Sequence, residues 1–231
     1  MDAQTLKIAA AREALAAVRS GMNLGLGTGT TAAEFVKLLG EALKNGRIKD
    51  VRCTSTSEKT AELAHSLGIE ILPLADVSPI DVAVDGADEI DRDLRLIKGR
   101  GGALLREKIV EQQAKTFIVI ADESKVVEKL GVGILPVEVT PFAVDVLTKK
   151  LREMGLDPVL RYRDGKVRIT DEQHRILDVR IPQDEDIADT VKGIREHAGV
   201  VDTGFFPHEA TEAIIATASG LRRMTRRSSA R

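Results

Sequence analysis

Acid, lysine and amide chemistry crowds into one stretch of the chain. Asp81-Val-Ala-Val-Asp85-Gly86-Ala87-Asp88-Glu89 reads as an apolar strand tipped with carboxylates, at the edge where open α/β sheets bind ligands. Lys98-Gly99-Arg100-Gly101-Gly102 then supplies a lysine and a flexible run of backbone donors that can hold an oxyanion, and Glu107 follows on the first turns of a helix. Each piece has an ordinary explanation by itself, since acidic strand tips are commonly solvated turns and a Glu beside a Lys on a helix is commonly a surface residue. Together they point to one site.

A second constellation precedes it. Gly25-Leu-Gly27-Thr28-Gly29-Thr30-Thr31 falls between a strand pattern and a helix start, where backbone N–H groups and the helix dipole converge on an anion. Gly27 to Ala32 formally matches a dinucleotide fingerprint, but that reading expects an acidic residue about 20 positions on. The next strand instead ends in Cys53-Thr54-Ser55-Thr56-Ser57, whose hydroxyls suit a phosphate monoester. No Lys-Ser or Lys-Thr follows the glycines, which excludes a nucleotide P-loop.

These residues need a scaffold, and apolar periodicity predicts one. A helix over Leu6 to Val18 leads to a strand over Met22 to Leu26. Thr31 with Glu34 has the form of a capping box opening a helix to about Leu43. Strands over Ile48 to Cys53, Ile69 to Leu72, Asp81 to Val84 and Thr116 to Ala121 alternate with helices over Glu58 to Leu67 and Ala103 to Gln113. Short apolar strands alternating with helices imply a mostly parallel sheet covered on both faces. After Gly131 the pattern changes. Strand Pro136 to Val139, helix Phe142 to Met154, strands Val159 to Tyr162, Lys166 to Ile169 and Ile176 to Ile181, helix Ile187 to His197 and strand Val200 to Phe206 follow in turn. Apart from one extra strand, this is the β-α-β-β-α-β order of a ferredoxin-like unit. An apolar run returns at Ala213 to Ala218, and the basic end LRRMTRRSSAR reads as a frayed terminus. The expected class is therefore α/β, a Rossmann-like domain of residues 1–130 plus 207–231 with a smaller ferredoxin-like α+β domain of residues 131–206.

Bulk composition narrows the function. With 231 residues, 43% hydrophobic and 30% charged, the chain can bury a real core, which must be aliphatic because aromatics make up only 3%. Sparse aromatics and a net charge of −2 argue against a nucleic-acid surface, so an anion site has to rest on a few placed donors. Cys53 is the only cysteine, and no stretch approaches the roughly 20 apolar residues of a membrane span or the apolar run of a signal peptide, so a soluble, cytoplasmic protein is expected. The acidic run Asp85 to Asp93 lacks EF-hand spacing, and His208-Glu209-Ala-Thr-Glu212 lacks the second histidine of a zinc protease. No metal is expected, and His65 and His174 read as surface or capping residues.

Four segments together resemble the A-type ribose-5-phosphate isomerases: GLGTGTTA at 25–32, VDGADEID at 84–91, KGRGGALLREK at 98–108 and ADESK at 121–125. The resemblance implies interconversion of ribose 5-phosphate and ribulose 5-phosphate, no cofactor, a small sugar-phosphate partner and a homodimer or larger oligomer. It implies Glu107 as the proton acceptor, and Asp85, Asp88 and Lys98 around the reacting carbons. It also implies substrate contacts at Thr28, Gly29, Thr30, Thr31, Asp85, Gly86, Ala87, Asp88, Lys98, Gly99, Arg100, Gly101 and Lys125, with Lys7 as a further phosphate contact. Aldose–ketose isomerisation through an enediolate needs a carboxylate base, oxyanion donors and an acid–base group for ring opening. Glu107, the Gly99 to Gly102 amides with Lys98, and Asp85 can fill those roles. Arg100 stands where the family commonly has another glycine.

Two other readings share parts of the pattern. An amino-sugar phosphate deaminase would use the same phosphate turn but should place a histidine near ring opening. A non-catalytic sugar-phosphate sensor would keep the turn, have no need of Glu107 and normally carry a helix-turn-helix segment.

Overall fold

The computed structural model describes residues 2–182 and 184–226, so the last part of the basic tail, 227–231, lies outside the described residues. Its first half of elements is α1 (Ala3–Leu15), β1 (Asn23–Leu26), α2 (Thr30–Lys44), β2 (Arg52–Ser55), α3 (Glu58–Ser66), α4 (Leu74–Val77), β3 (Ile80–Asp85), β4 (Glu89–Ile90), β5 (Leu96–Ile97), α5 (Leu104–Glu111) and β6 (Ala114–Asp122). A 3-10 turn at Glu123–Lys125 leads to β7 (Leu135–Val139), α6 (Val144–Glu153), β8 (Asp157–Leu160), β9 (Tyr162–Arg163), β10 (Lys166–Val167), β11 (Arg175–Arg180), α7 (Ile187–Arg195), β12 (Val200–Thr203), β13 (Phe205–Phe206), β14 (Glu212–Thr217) and β15 (Gly220–Thr225).

Six strands form the main sheet in the order β15-β14-β6-β3-β1-β2. All neighbours pair parallel except β14 and β15. The chain runs outward from β1 to β2 and then returns to β3 on the other side of β1. That reversal opens a crevice between the C-terminal ends of β1 and β3, where doubly wound sheets bind ligands. Strand β3 is buried along nearly its whole length, as a central strand covered on both faces must be. One apolar cluster packs α1 and α2 on one face, and a second, with Val110, Phe117 and Phe206, fills the other.

The second sheet is antiparallel, in the order β12-β7-β11-β8, with α6 and α7 packed on its own apolar cluster around Leu147, Leu151, Val191 and Ile194. This is the predicted split order, and the extra strand is a separate two-stranded ribbon of β9 and β10 turning at Asp164 and Gly165. Strands β4, β5 and β13 form a small third sheet beneath the crevice.

Five expectations are corrected. The capping box does not form: Gly29 is the N-cap at φ 113°, with no side-chain cap, and Glu34 pairs with Lys37 at 2.8 Å. The stretch from Ile48 starts as a helix-closing turn, its N–H bonded to Ala42 O at 3.1 Å, so β2 begins only at Arg52. Ile69 to Leu72 makes a single bridge, Ile71 to Cys53, because Pro73 ends the extended run. The basic end is no frayed tail up to Thr225, since Gly220–Thr225 forms β15 in full register with β14. The predicted strand Val200 to Phe206 also divides at Gly204, β12 staying with β7 while β13 crosses to β5.

Candidate active site

The crevice holds a cavity of about 270 Å³ whose wall includes Lys7, Thr28 to Thr31, Gly86 to Asp88, Lys98, Gly99, Gly101, Glu107 and Lys125. Segments far apart in sequence meet because β1, β3 and the loop after β5 all end at this edge. At one end the first turn of α2 faces the cavity with no side chain capping its N–H groups. Uncapped N–H groups and the helix dipole make this an anion seat. Lys7 and Lys125 add positive charge to the same cavity wall.

Thr28 lines the cavity but is held from behind. Its hydroxyl donates to Ser57 Oγ at 2.7 Å and lies 2.7 Å from Thr56 Oγ1, and its N–H is taken by Asp85 Oδ1 at 2.9 Å. The hydroxyls at the end of β2 thus brace the turn from behind; Thr56 and Ser57 are absent from the cavity wall.

At the other end lies a buried charge cluster. Lys98, Asp85, Glu107 and Glu111 are 2%, 1%, 4% and 1% exposed. Lys98 Nζ lies 3.0 Å from Asp85 Oδ2, 3.2 Å from Glu111 Oε1 and 3.7 Å from Glu107 Oε2, and it donates to Gly86 O at 2.6 Å. The rings of Phe117 and Phe206 flank the ammonium at 5.7 and 5.5 Å. Burial opposes the Lys98 charge, but the three carboxylates outweigh it and push its pKa above the usual lysine value. For Glu107 burial dominates: it lifts the carboxyl from its ordinary 4.5 to about 8 against the pull of Lys98, with Asp85 and Asp88 adding to the rise.

Asp85 stands behind the cavity wall, its Oδ1 accepting the N–H groups of Thr28 at 2.9 Å and Gly86 at 2.6 Å. Gly27 is what admits it, because a Cβ there would fall 2.2 Å from Asp85 Cγ. Asp88, in contrast, faces the cavity and accepts the Arg100 N–H at 2.9 Å. Gly102 N–H turns back to Gly99 O at 3.0 Å. The N–H groups of Gly99 and Gly101 find no acceptor among the described residues, and both glycines line the cavity. Arg100 is half exposed, with its guanidinium outside the cavity, 4.0 Å from Asp88.

Sequence reasoning missed Glu111 and Asp122. Glu111 lies one helical turn after Glu107, and that i, i+4 spacing behind a buried lysine was the available signal. Asp122 lines the cavity at the end of β6 and holds Ser124 N–H at 3.0 Å. His174 is partly exposed, with its Nδ1 3.0 Å from the buried Glu138. Among the described residues no cluster of histidine, cysteine and carboxylates has the arrangement to hold a metal ion.

Comparison with known proteins decides the family. Residues 52–220 match ribose 5-phosphate isomerase A (phosphoriboisomerase A). The chain is 46% identical to the ribose-5-phosphate isomerase A of Sinorhizobium fredii, over 97% of this chain and 99% of that one. The chain belongs to the ribose-5-phosphate isomerase A family. Its relative in Deinococcus radiodurans is 41% identical over 98% of this chain and the whole of that one. Among solved structures, a D-ribose-5-phosphate isomerase in complex with phospho-erythronic acid superposes with a TM-score of 0.93 at 41% identity, covering 98% of this chain and 100% of that one. Ribose 5-phosphate isomerase A from Methanocaldococcus jannaschii superposes at 0.90 with 38% identity, covering 97% and 100%. The family's fold is thus the α/β sheet and separate antiparallel sheet seen here, and no helix among the described residues is long and apolar enough to cross a membrane.

Proposed function

We propose that this member of the ribose-5-phosphate isomerase A family interconverts D-ribose 5-phosphate and D-ribulose 5-phosphate, as in the non-oxidative pentose phosphate pathway, with Glu107 as the base. One observation carries the reading: a buried carboxylate faces one end of a cavity whose other end is an uncapped helix N-terminus. A phosphate on α2, contacted by Gly29, Thr30, Thr31, Lys7 and Lys125, sets the sugar's far end beside Glu107.

Ionised Glu107 removes the C2 proton of the open-chain aldose. The electrons move into a C1–C2 double bond, leaving charge on the carbonyl oxygen at C1. The Gly99 and Gly101 N–H groups stabilise that oxygen, and Lys98 supplies fixed positive charge behind the site. Glu107 then returns the proton to C1 as the C2 oxygen becomes the ketone, with a hydroxyl proton exchanged between the two oxygens. Ring opening falls to Asp88 rather than Asp85, since Asp88 faces the cavity and Asp85 is tied behind it. The relative's ligand supports this course, because phospho-erythronic acid carries a phosphate and a planar carboxylate that resembles an enediolate end. A deaminase reading lacks its histidine, as none lines the cavity. No cofactor is needed for this chemistry.

We divide the chain into a catalytic domain of residues 1–130 plus 207–231 and a smaller domain of residues 131–206, supported by the separate sheets. A cytoplasmic setting rests on the lone cysteine. We further propose a homodimer, supported by the wholly exposed Phe142 with Val146 one turn on, to be checked by sedimentation.

A coupled assay of ribose 5-phosphate conversion tests the central claim. Glu107→Gln is expected to lower kcat by about 10²–10⁴ fold with an unchanged circular dichroism spectrum. Near-normal turnover of a folded Gln variant removes Glu107 from the role.

A further inference from the structure

We propose that Glu111 is a positioning residue that holds a proton in the resting enzyme and shares it with Asp85, leaving Glu107 as the carboxyl group of the cluster that exchanges a proton with substrate.

Three buried carboxyl groups surround one buried ammonium. Fully ionised, the cluster would carry two uncompensated negative charges away from water, an arrangement that buried groups avoid by taking up protons. The geometry says which acid is ionised. Asp85 receives two backbone N–H groups on Oδ1, the environment that favours a carboxylate. Glu111 receives none, and both its oxygens are buried without a hydrogen-bond partner, whereas Asp85 and Glu107 each have only one oxygen so placed, Oδ2 and Oε2. Lys98 directs its hydrogen bond at Gly86 O and meets these oxygens only as charge contacts. A proton on Glu111 is the donor that the group lacks, and Asp85 Oδ2 is its acceptor. Lys98 and Asp85 then form a neutral pair.

Among the described residues, the surrounding elements offer this cluster no second cation. On α5 itself Lys108 turns away to Asp202 at 2.9 Å and Thr203 O at 2.7 Å. From β6 and β13 come only Phe117 and Phe206. Strand β3 supplies Asp85, and Asp88 bears on Glu107 as a further negative charge. Burial lifts Glu111 well above the ordinary carboxyl value, against Lys98, and the negative charges of Asp85 and Glu107 lift it further.

The role rests on Glu107 as the base for its kinetic consequence only. A neutral Glu111 puts no charge beside Glu107, so removing it should leave the acid limb of the kcat/KM–pH profile in place. An ionised Glu111 would raise that limb, and its removal would lower it by about one pH unit or more. The test measures the profile for Glu111→Gln, whose amide keeps a donor toward Asp85, and the infrared difference spectrum of substrate-free wild type minus variant at neutral pH. The expected result is an unmoved limb and the carbonyl stretch of an un-ionised carboxylic acid. A limb displaced to lower pH, or a difference spectrum showing only carboxylate bands, overturns the proposal. Should the Gln variant not fold, Glu111→Met gives the same two readouts, since it too removes either a neutral group or an anion. The infrared band is read without substrate, so it is decided independently of whether Glu107 is the base, which the Glu107→Gln assay decides.

Discussion

Glu107 is held under two opposed influences, burial that favours its protonated form and the nearby Lys98 charge that favours the carboxylate. Because its carboxyl rises from 4.5 to about 8, chiefly by burial, the ionised form grows with pH, and with Glu107 as the proposed base kcat/KM should climb to a plateau above an acid limb near 8. The same shift has a stability signature. Between 4.5 and about 8 the folded protein keeps a proton that the unfolded chain has released, so this group's contribution falls as pH rises through that window. Glu107→Gln cannot titrate. Its Tm should match wild type well below pH 4.5 and exceed it above about pH 8, and a parallel pair of Tm–pH curves would contradict the burial argument. At this scale the sequence was informative wherever chemistry was local: Asp88, Lys98, Gly99, Gly101 and Glu107 all reach the cavity from two contiguous motifs. It was silent on depth. Nothing in the spacing of Asp85 and Asp88 tells which lies behind the wall, because that depends on Gly27, just past the end of β1, leaving room for one of them.

The elements fix these side chains through backbone contacts that a linear pattern cannot reveal. Gly204, between β12 and β13, accepts the Lys98 N–H at 2.8 Å and donates to Pro136 O at 2.7 Å, so it locks the start of the glycine run. A Cβ on Gly204 would fall 2.1 Å from the Lys98 carbonyl oxygen, and backbone cannot yield as a flexible side chain would. Gly204→Ala should therefore cost about 3 kcal/mol or more and lower Tm by roughly 6–12 °C, with a loss of turnover that tracks the displaced Lys98. An alanine variant with wild-type Tm and kcat would show that the junction is slack. Gly193→Ala makes a useful contrast, because its Cβ meets only the terminal methyl of Met154, at 3.1 Å, and it lies in α7 where alanine is the better helix former. The strands over β1, β3, β6 and β7 were legible from apolar runs, as was the helix at Thr30 despite its missing capping box. Strands β4, β5 and β13 were not, since two-residue strands carry no period, and β15 was hidden by arginines that suit a solvent-facing edge.

At the scale of the whole molecule the two sheets meet over the glycine run, and the antiparallel sheet takes part in shaping the site. Arg161, following β8, is gripped by Asp178 of β11 through two hydrogen bonds, one of them Nε to Oδ2 at 2.8 Å. Its remaining nitrogen, Nη1, donates to Gly99 O at 2.7 Å and reaches Arg100 O at 3.3 Å. From the second sheet, then, a planar guanidinium holds two carbonyls of the run outward, which turns the opposite ends of those peptides inward, the Arg100 N–H onto Asp88 and the Gly101 N–H toward the cavity. A second link, Arg106 to Glu172 at 2.5 Å with Glu58 N–H on Asp171 at 2.9 Å, ties α5 and α3 to the loop before β11. If the run is aimed from outside, Arg161→Ala should reduce kcat by about tenfold, the scale of a misoriented oxyanion donor, while KM and the circular dichroism spectrum change little. Lysine should not restore it, because one ammonium cannot reproduce the fork that engages carboxylate and carbonyl together. A fall confined to KM would instead assign Arg161 to substrate binding, and full activity in Arg161→Lys would mean that charge alone, without the fork, holds the two sheets in register at the site.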